Sequence, residues 1–233
     1  MVSDRLRIRD ESELELQNKG LIELSNILKS IEIPHFLSSG TLLGAVRQGN
    51  FIPWDWDVQF YFKLEDVKGQ YEKILHLFES SGFVSKKLDT SDNHWKIVVI
   101  KYNTEYEMTA WEKSGKMRVR SNWSISGHFF ESPDTIDFLG NTYQCMTPAT
   151  EYLEYCYGKD WRTPKRIDDK SEYLADTFYQ QSKYIRRFKQ ILKTIRNLFL
   201  GLLPAPVKTN IKSIKLSIYR LLKIKSDKYN NNL

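Results

Sequence analysis

Asp55 and Asp57 are the residues of this chain whose type and spacing most call for chemistry. They open the run D-W-D-V-Q-F-Y-F, in which Asp55, Asp57, Gln59 and Tyr61 alternate with Trp56, Val58, Phe60 and Phe62. A strand sends alternate side chains to opposite faces, so the run predicts one polar and one apolar face. The apolar face needs only a core to pack on. On the polar face, two carboxylates two residues apart repel at neutral pH unless a cation lies between them. Hard oxygen ligands suit Mg²⁺ or Mn²⁺. Such an ion can grip the phosphates of a nucleotide donor and activate an oxygen nucleophile. Upstream, Gly40-Thr41 lies in a turn ahead of a helical run. Backbone N–H groups at such a place can cradle a phosphate, and Arg47 offers a forked donor to the same anion.

The elements that must position these residues are legible from periodicity. Leu14, Leu21, Leu24 and Leu28 recur at helical spacing, which predicts a helix over 12–31 that Pro34 stops, with Gly20 weakening its middle. Further helices are predicted from 42 to 47, over 65–80 and over 150–157. Strands are predicted over 33–37, 55–62, 97–102, 105–111 and 117–123. Residues 124–148, with scattered Ser, Gly, Pro and Asn, read as loop. The alternation lacks the regular rhythm of a doubly wound fold, so the expected class is α+β.

The chain has 233 residues, 41% hydrophobic and 27% charged, enough for one globular domain with an appendage and too apolar for a disordered chain. The net charge of +6 is unevenly spread. From Lys183 onward thirteen Lys/Arg face one acid, a net +12, which leaves −6 on the first 182 residues. The basic balance therefore belongs to the tail, and no nucleic-acid partner is expected for the body. No apolar run is long enough for a transmembrane helix, and the charged start has no signal-peptide pattern. Cys145 and Cys156 are expected to be reduced and packed. There is no P-loop, C-x-x-C, H-E-x-x-H or serine-hydrolase elbow, and four scattered histidines do not suggest zinc.

A Gly-Thr turn followed by D-h-D-h, where h is apolar, is the general pattern of the nucleotidyltransferase fold. The match is closer still: G-T-L-L-G-A-V-R at 40–47 followed by F-I-P-W-D-W-D at 51–57 resembles the LicD/fukutin family of phosphosugar and phosphocholine transferases. The block Y-L-E-Y-C-Y-G-K-D-W-R-T-P-K-R at 152–166 is similar to the family's closing segment. The resemblance implies a nucleotidyltransferase-like mixed sheet with flanking helices over 1–180. It also implies a divalent-metal-dependent transfer: a phosphorylated substituent passes from a CDP-linked donor to a sugar hydroxyl of a glycan, releasing CMP. In-line phosphoryl transfer of this kind is mostly positioning and charge neutralisation.

The resemblance also implies a third carboxylate on a later strand. Glu107 is the best match, giving an expected metal set of Asp55, Asp57 and Glu107, with Glu105 the competing residue. Family members commonly carry acids at all three alternate positions of the motif, and here the third is Gln59, whose carbonyl can ligate without adding charge. The family's key pair falls either on 55 and 57 or on 57 and 59. His94 and Lys96, flanking Trp95, are expected near a donor phosphate, and His128 on the donor or acceptor side. Trp54 and Trp56 pack or stack a base, with packing favoured. Arg118 and Arg120 alternate on a strand, a pattern that binds an anion or faces solvent. Two alternatives stay open: an enzyme of the same fold that transfers the nucleotide and releases pyrophosphate, and a decayed site kept as a glycan- or partner-binding module.

In the tail, Ile185, Phe188, Leu192, Ile195, Phe199 and Leu202 share one helical face, and Ile211, Ile214, Ile218, Leu221 and Leu222 repeat the arrangement after Pro204 and Pro206. Two basic amphipathic helices over 181–233 suit an anionic membrane surface. The expected location is the cytoplasm, peripheral at the inner face of the membrane, beside an acceptor built on a lipid carrier.

Overall fold

The structure, a computed structural model, describes residues 7–89, 95–120, 123–166 and 173–175. The boundary expected at residue 180 and the basic helices beyond it lie outside the described residues, as does His94.

Helix α1 (Glu11–Ser30) begins on a capping box: the Asp10 side chain accepts from the Glu13 amide, and the Glu13 side chain accepts from the Asp10 amide. It buries Leu21, Leu24 and Leu28. Gly20 does not interrupt it. A Cβ at Gly20 would lie 1.9 Å from Tyr106 Oη, so the glycine makes room for a ring that donates to the Gln17 carbonyl at 3.1 Å. What reads as a propensity defect is a packing site. After β1 (Phe36–Leu37), helix α2 (Ser39–Gln48) starts three residues earlier than the pattern predicts. Gly40 and Thr41 therefore lie within its first turn rather than in a turn before it.

Strand β2 (Asp57–Lys63) follows a turn at Pro53-Trp54 in which the Asp55 amide donates to the Ile52 carbonyl at 2.8 Å. Asp55 stands just ahead of the strand, a correction to the predicted start at 55. The predicted helix over 65–80 is two, α3 (Leu64–Val67) and α4 (Tyr71–Ser80), parted by the extended backbone of Lys68, which ends the first, and by Gly69 with a φ of 77°. Strands β3 (Val84–Asp89), β4 (Trp95–Lys101) and β5 (Thr104–Ser114) follow. The β4–β5 turn is Tyr102-Asn103, both left-handed, with φ of 51° and 53°. Next come β6 (Met117–Arg120) and β7 (Trp123–Ser126).

The stretch read as loop holds two more strands, β8 (Asp134–Phe138) and β9 (Asn141–Cys145), joined by Leu139-Gly140 with both φ positive. Ile136, Phe138, Tyr143 and Cys145 alternate with polar residues there. A leucine in the left-handed region disguises the hairpin turn. Helix α5 (Ala149–Tyr157) closes the described fold and ends at Gly158.

The sheet runs β3-β4-β5-β2-β1-β9-β8, with β6 paired to the end of β5 and β7 to β6. The β2–β5 and β1–β9 pairs are parallel and the rest antiparallel. This is the expected mixed sheet of an α+β fold. In the β2–β5 register Asp57 stands opposite Glu105 and Gln59 opposite Glu107. Their neighbours Val58, Phe60, Tyr106 and Met108 are fully buried on the other face, where α1 packs against β5. Both cysteines are free and buried. No helix of the described residues is long and apolar enough to cross a membrane.

Candidate active site

The start of α2 and the start of β2 meet at Gly40. A Cβ there would lie 1.9 Å from Asp55 Oδ2 and 3.6 Å from Gln59 Oε1, so only a residue without a side chain admits the carboxylate. The Gly40 amide donates to Gln59 Oε1 at 3.0 Å. Thr41 is 2% exposed, and its hydroxyl accepts the Gln59 amide at 2.9 Å. The Ser38 amide donates to the Gln59 carbonyl at 3.2 Å, and the Ser39 amide to Tyr152 Oη at 3.1 Å. Gln59 thus fastens the strand to the first turn of α2 through its backbone and its side chain. These bonds occupy the amides of Ser39 and Gly40, two of the donors that a helix start leaves open. Thr41 is a fastening for the strand.

Asp55 and Gln59 converge on Gly40, and Asp57 opens the strand on the same face as Gln59. Arg47, on the last turn of α2, is half-buried. Burial pulls its guanidinium below the ordinary value, while Tyr157 and Asp55 push it back up. Arg47 thus belongs to the electrostatic surroundings of Asp55. Asp55, the Gln59 amide oxygen and Arg47 therefore gather at the α2–β2 junction, with Asp57 at the start of the strand that leads from it.

Glu107 does not join them in a ligand set. Among the described residues no three His, Cys, Asp or Glu side chains come together as a metal-holding group, so the expected trio Asp55, Asp57 and Glu107 is not assembled. The register gives the reason: Glu107 faces Gln59, not an aspartate. It is also engaged elsewhere, paired with Lys96 Nζ at 2.6 Å and accepting from Thr109 Oγ1 at 3.2 Å. Lys96 is therefore a counter-charge to Glu107. Glu105 is likewise paired, with Lys86.

A cavity of about 90 Å³ opens beside this junction. Gln59, Tyr61, Glu107, Arg120, Trp123 and Tyr157 are among its walls. Tyr61 is largely buried, and desolvation lifts its hydroxyl far above the usual tyrosine range, so it stays neutral. It shares a 2.9 Å hydrogen bond with Ser39 Oγ. Arg120 donates to Thr109 Oγ1 at 2.9 Å and lies 5.9 Å from the Trp111 ring centroid. Arg118 is different. It is 6% exposed and forks Glu65 at 2.6 and 2.9 Å, with a further bond to the Trp111 carbonyl at 3.1 Å. The sequence shows two equivalent arginines; tertiary contacts make one a buried tie and the other a wall of the cavity.

His128 is not among the walls of that cavity: its ring bonds Ser126 Oγ at 2.7 Å and Glu151 Oε1 at 3.1 Å. His35 is structural, sharing hydrogen bonds with Ser25 Oγ and the Ile33 carbonyl, both at 2.8 Å. Trp54 packs on the core. Lys165 pairs with Asp160 at 2.7 Å, and Arg162 stacks over Trp161 at 4.1 Å.

The family model described as LicD/FKTN/FKRP, nucleotidyltransferase domain, matches residues 32–145, the span that contains α2, β2, β5 and the Gly40 junction. The chain carries a LicD/fukutin-type domain. The 152–166 block lies beyond that match. The LicD-type chain is 37% identical over 146 residues to human "Ribitol 5-phosphate transferase FKRP", covering 57% of this chain and 29% of that one. It is 27% identical over 161 residues to human "Ribitol-5-phosphate transferase FKTN", covering 65% and 34%. It thus spans about a third of the length of these curated relatives. Among solved structures, the solution structure of the antibiotic-resistance factor ANT(2'')-Ia aligns with a TM-score of 0.46 at 13% identity, covering 89% of this chain and 99% of that one.

Proposed function

We propose that this LicD-type domain transfers a phosphorylated polyol- or choline-like substituent from a CDP-linked donor to a sugar hydroxyl of a cell-surface glycan. The hydroxyl oxygen forms a bond to the substituent's phosphorus, the bond to CMP breaks, and the hydroxyl proton leaves to a base. The observation that carries the reading is the meeting of Asp55, Gly40 and Gln59 at a helix start, in a chain whose matched relatives are named ribitol-phosphate transferases.

The donor set fits Mg²⁺ or Mn²⁺. Ions of this kind take one or two carboxylates together with substrate phosphates and keep several waters, so a third protein carboxylate is not required. Asp55 and Asp57 would hold the ion, with Gln59 Oε1 beside them; Gln59 already accepts from Gly40 and keeps a second lone pair. When bound, the ion neutralises charge on the donor phosphates. The protein's own residues do the rest. Gly40 leaves the space in which Asp55 sits. Gln59 and Thr41 hold the strand and helix in register. Arg120 meets a donor phosphate in the cavity. Glu107 and Lys96 together keep one wall close to neutral, so the cavity does not repel an anion. The basic stretch after Lys183 holds the enzyme on an anionic membrane at the cytoplasmic face, near a lipid-carried acceptor. Loss of anionic-liposome co-sedimentation on deletion from 183 would check that part.

The decisive experiment incubates the chain with Mg²⁺, CDP-linked donors and a glycan acceptor and identifies the released nucleotide. CMP is expected. Asp57→Asn should lower transfer by about 100-fold or more with little loss of fold. Release of pyrophosphate, or full activity in Asp57→Asn, would overturn the reading.

A further inference from the structure

Residues 7–10 lie against the turn that presents Asp55 and Asp57, and they grip it at the residue between them. The guanidinium groups of Arg7 and Arg9 each stand 4.6 Å from the Trp56 ring centroid. The indole N–H donates to the Arg7 carbonyl at 3.0 Å, and the Arg9 amide donates to the Pro53 carbonyl at 2.8 Å. Backbone and side chain of this short strap thus both hold the segment 53–56.

The two arginines differ in their other contacts. Arg7 is exposed and pairs with Glu13. Arg9 is 3% exposed. Its guanidinium donates to Gln17 Oε1 on α1 at 2.9 Å, to Thr104 Oγ1 at 2.6 Å and to the Asn103 carbonyl at 2.6 Å. Asn103 and Thr104 form the turn into β5, and the next residue, Glu105, donates its amide to the Trp56 carbonyl at 3.3 Å. One guanidinium therefore ties α1, the β4–β5 turn and Trp56 together.

Among the described residues, Arg9's hydrogen-bond acceptors are all neutral and it makes no ion pair within 4.0 Å. A buried charge without an ion-pair partner is costly, and an apolar side chain would fill the space more cheaply. The forked, planar group is suited to holding several acceptors in one fixed arrangement. The nearby negative charges that act on it include Glu13 and Asp55.

We propose that the strap of residues 7–10 is the positioning element of the D-x-D turn, with Arg9 its anchor. Arg9 acts through Trp56: by holding the indole it sets the direction in which Asp55 and Asp57 leave the chain. Arg9 is thus a positioning residue and touches no reacting atom. The proposal rests on the phosphotransfer reading only in supposing that the two aspartates are used.

Hydrogen–deuterium exchange of the ligand-free full chain tests the anchoring, with Arg9→Gln, Arg9→Lys and Arg7→Ala compared with wild type. In Arg9→Gln the amides of 55–57 should exchange about tenfold faster, while peptides from β8 and β9 keep wild-type rates. Arg9→Lys should recover little, because an ammonium cannot make the fork. Arg7→Ala, which leaves the buried network intact, should change exchange by no more than about twofold. In the transfer assay Arg9→Gln should lower kcat about tenfold with donor KM nearly unchanged, as expected for misdirected carboxylates. Should Arg9→Gln not fold, Trp56→Ala reads the same contact from its other side. Unchanged exchange at 55–57, or a uniform rise across the sheet, would overturn the proposal. Exchange needs neither metal nor donor, so a wild-type chain without CDP-dependent transfer would defeat the functional reading and leave this test standing.

Discussion

The two faces of the β2–β5 pair are built from the same backbone and do opposite things. On one, Val58, Phe60, Tyr106 and Met108 are fully buried and sealed by helices. On the other, Asp57, Gln59, Glu105 and Glu107 stand half-exposed, two of them neutralised by Lys86 and Lys96. Each face has a glycine into which a side-chain oxygen projects: Gly20 receives Tyr106 Oη and Gly40 receives Asp55 Oδ2, and in both cases an added Cβ would lie 1.9 Å away. The difference is in what can yield. Tyr106 is a rigid ring in a closed core, whereas Asp55 is a short polar side chain on a turn. The same added methyl should therefore damage stability on one face and chemistry on the other.

The largest effect expected is at Gly40. Gly40→Ala should displace the Asp55 carboxylate and lower CDP-dependent transfer by about 100- to 1,000-fold, while costing little in thermal stability. Gly20→Ala should do the reverse, costing about 1–3 kcal/mol of unfolding free energy by overpacking with near-normal kcat in the folded fraction. Urea titration and initial rates on both variants decide it. Equal loss of stability in the two would break the comparison.

Acid sharpens the contrast next. His35 lies beneath Phe60 and Phe62, with ring centroids 5.3 and 6.5 Å away, and burial lowers its imidazole from 6.5 to about 4. The unfolded chain takes up a proton near pH 6.5 that the folded chain refuses until about pH 4. Stability is therefore full above pH 6.5 and falls as pH drops through that window, by up to about 3 kcal/mol from this group. His35→Gln should flatten the dependence between pH 6.5 and 4 in denaturation midpoints, whatever its stability at pH 7.

The smallest effect separates the two arginines of β6. Arg120→Ala should raise the donor KM about tenfold with a melting temperature near wild type. Arg118→Ala should cost about 1–3 kcal/mol, because it strips the Trp111 carbonyl and Glu65 of a buried donor, and should leave donor KM unchanged. Matching phenotypes in the two would mean that the cavity wall is not a ligand contact.

Much of the fold was legible because its signals are local. The heptad-like leucines of α1, the period-two run of β2 and the Gly-Thr/D-x-D spacing each arise within a few residues. The misses have local causes too. The β8–β9 hairpin turns on a left-handed leucine, and α3 and α4 share one apolar stripe across Gly69. At the site, Asp55, Gln59 and Gly40 were identifiable by motif. The loss of Glu107 to Lys96 was not, because it depends on register between β2, β4 and β5. Arg9 left no mark in the sequence beyond its charge, since its acceptors are 8, 94 and 95 residues away along the chain.

By itself the sequence determined which residues carry charge, which faces are apolar, and that a glycine and two acids recur at the spacing of a nucleotidyltransferase motif. Only the tertiary structure decided which charges neutralise one another and which meet. Periodicity assigns a side chain to a face, but the neighbour across that face is set by strand register and by where distant turns fold back.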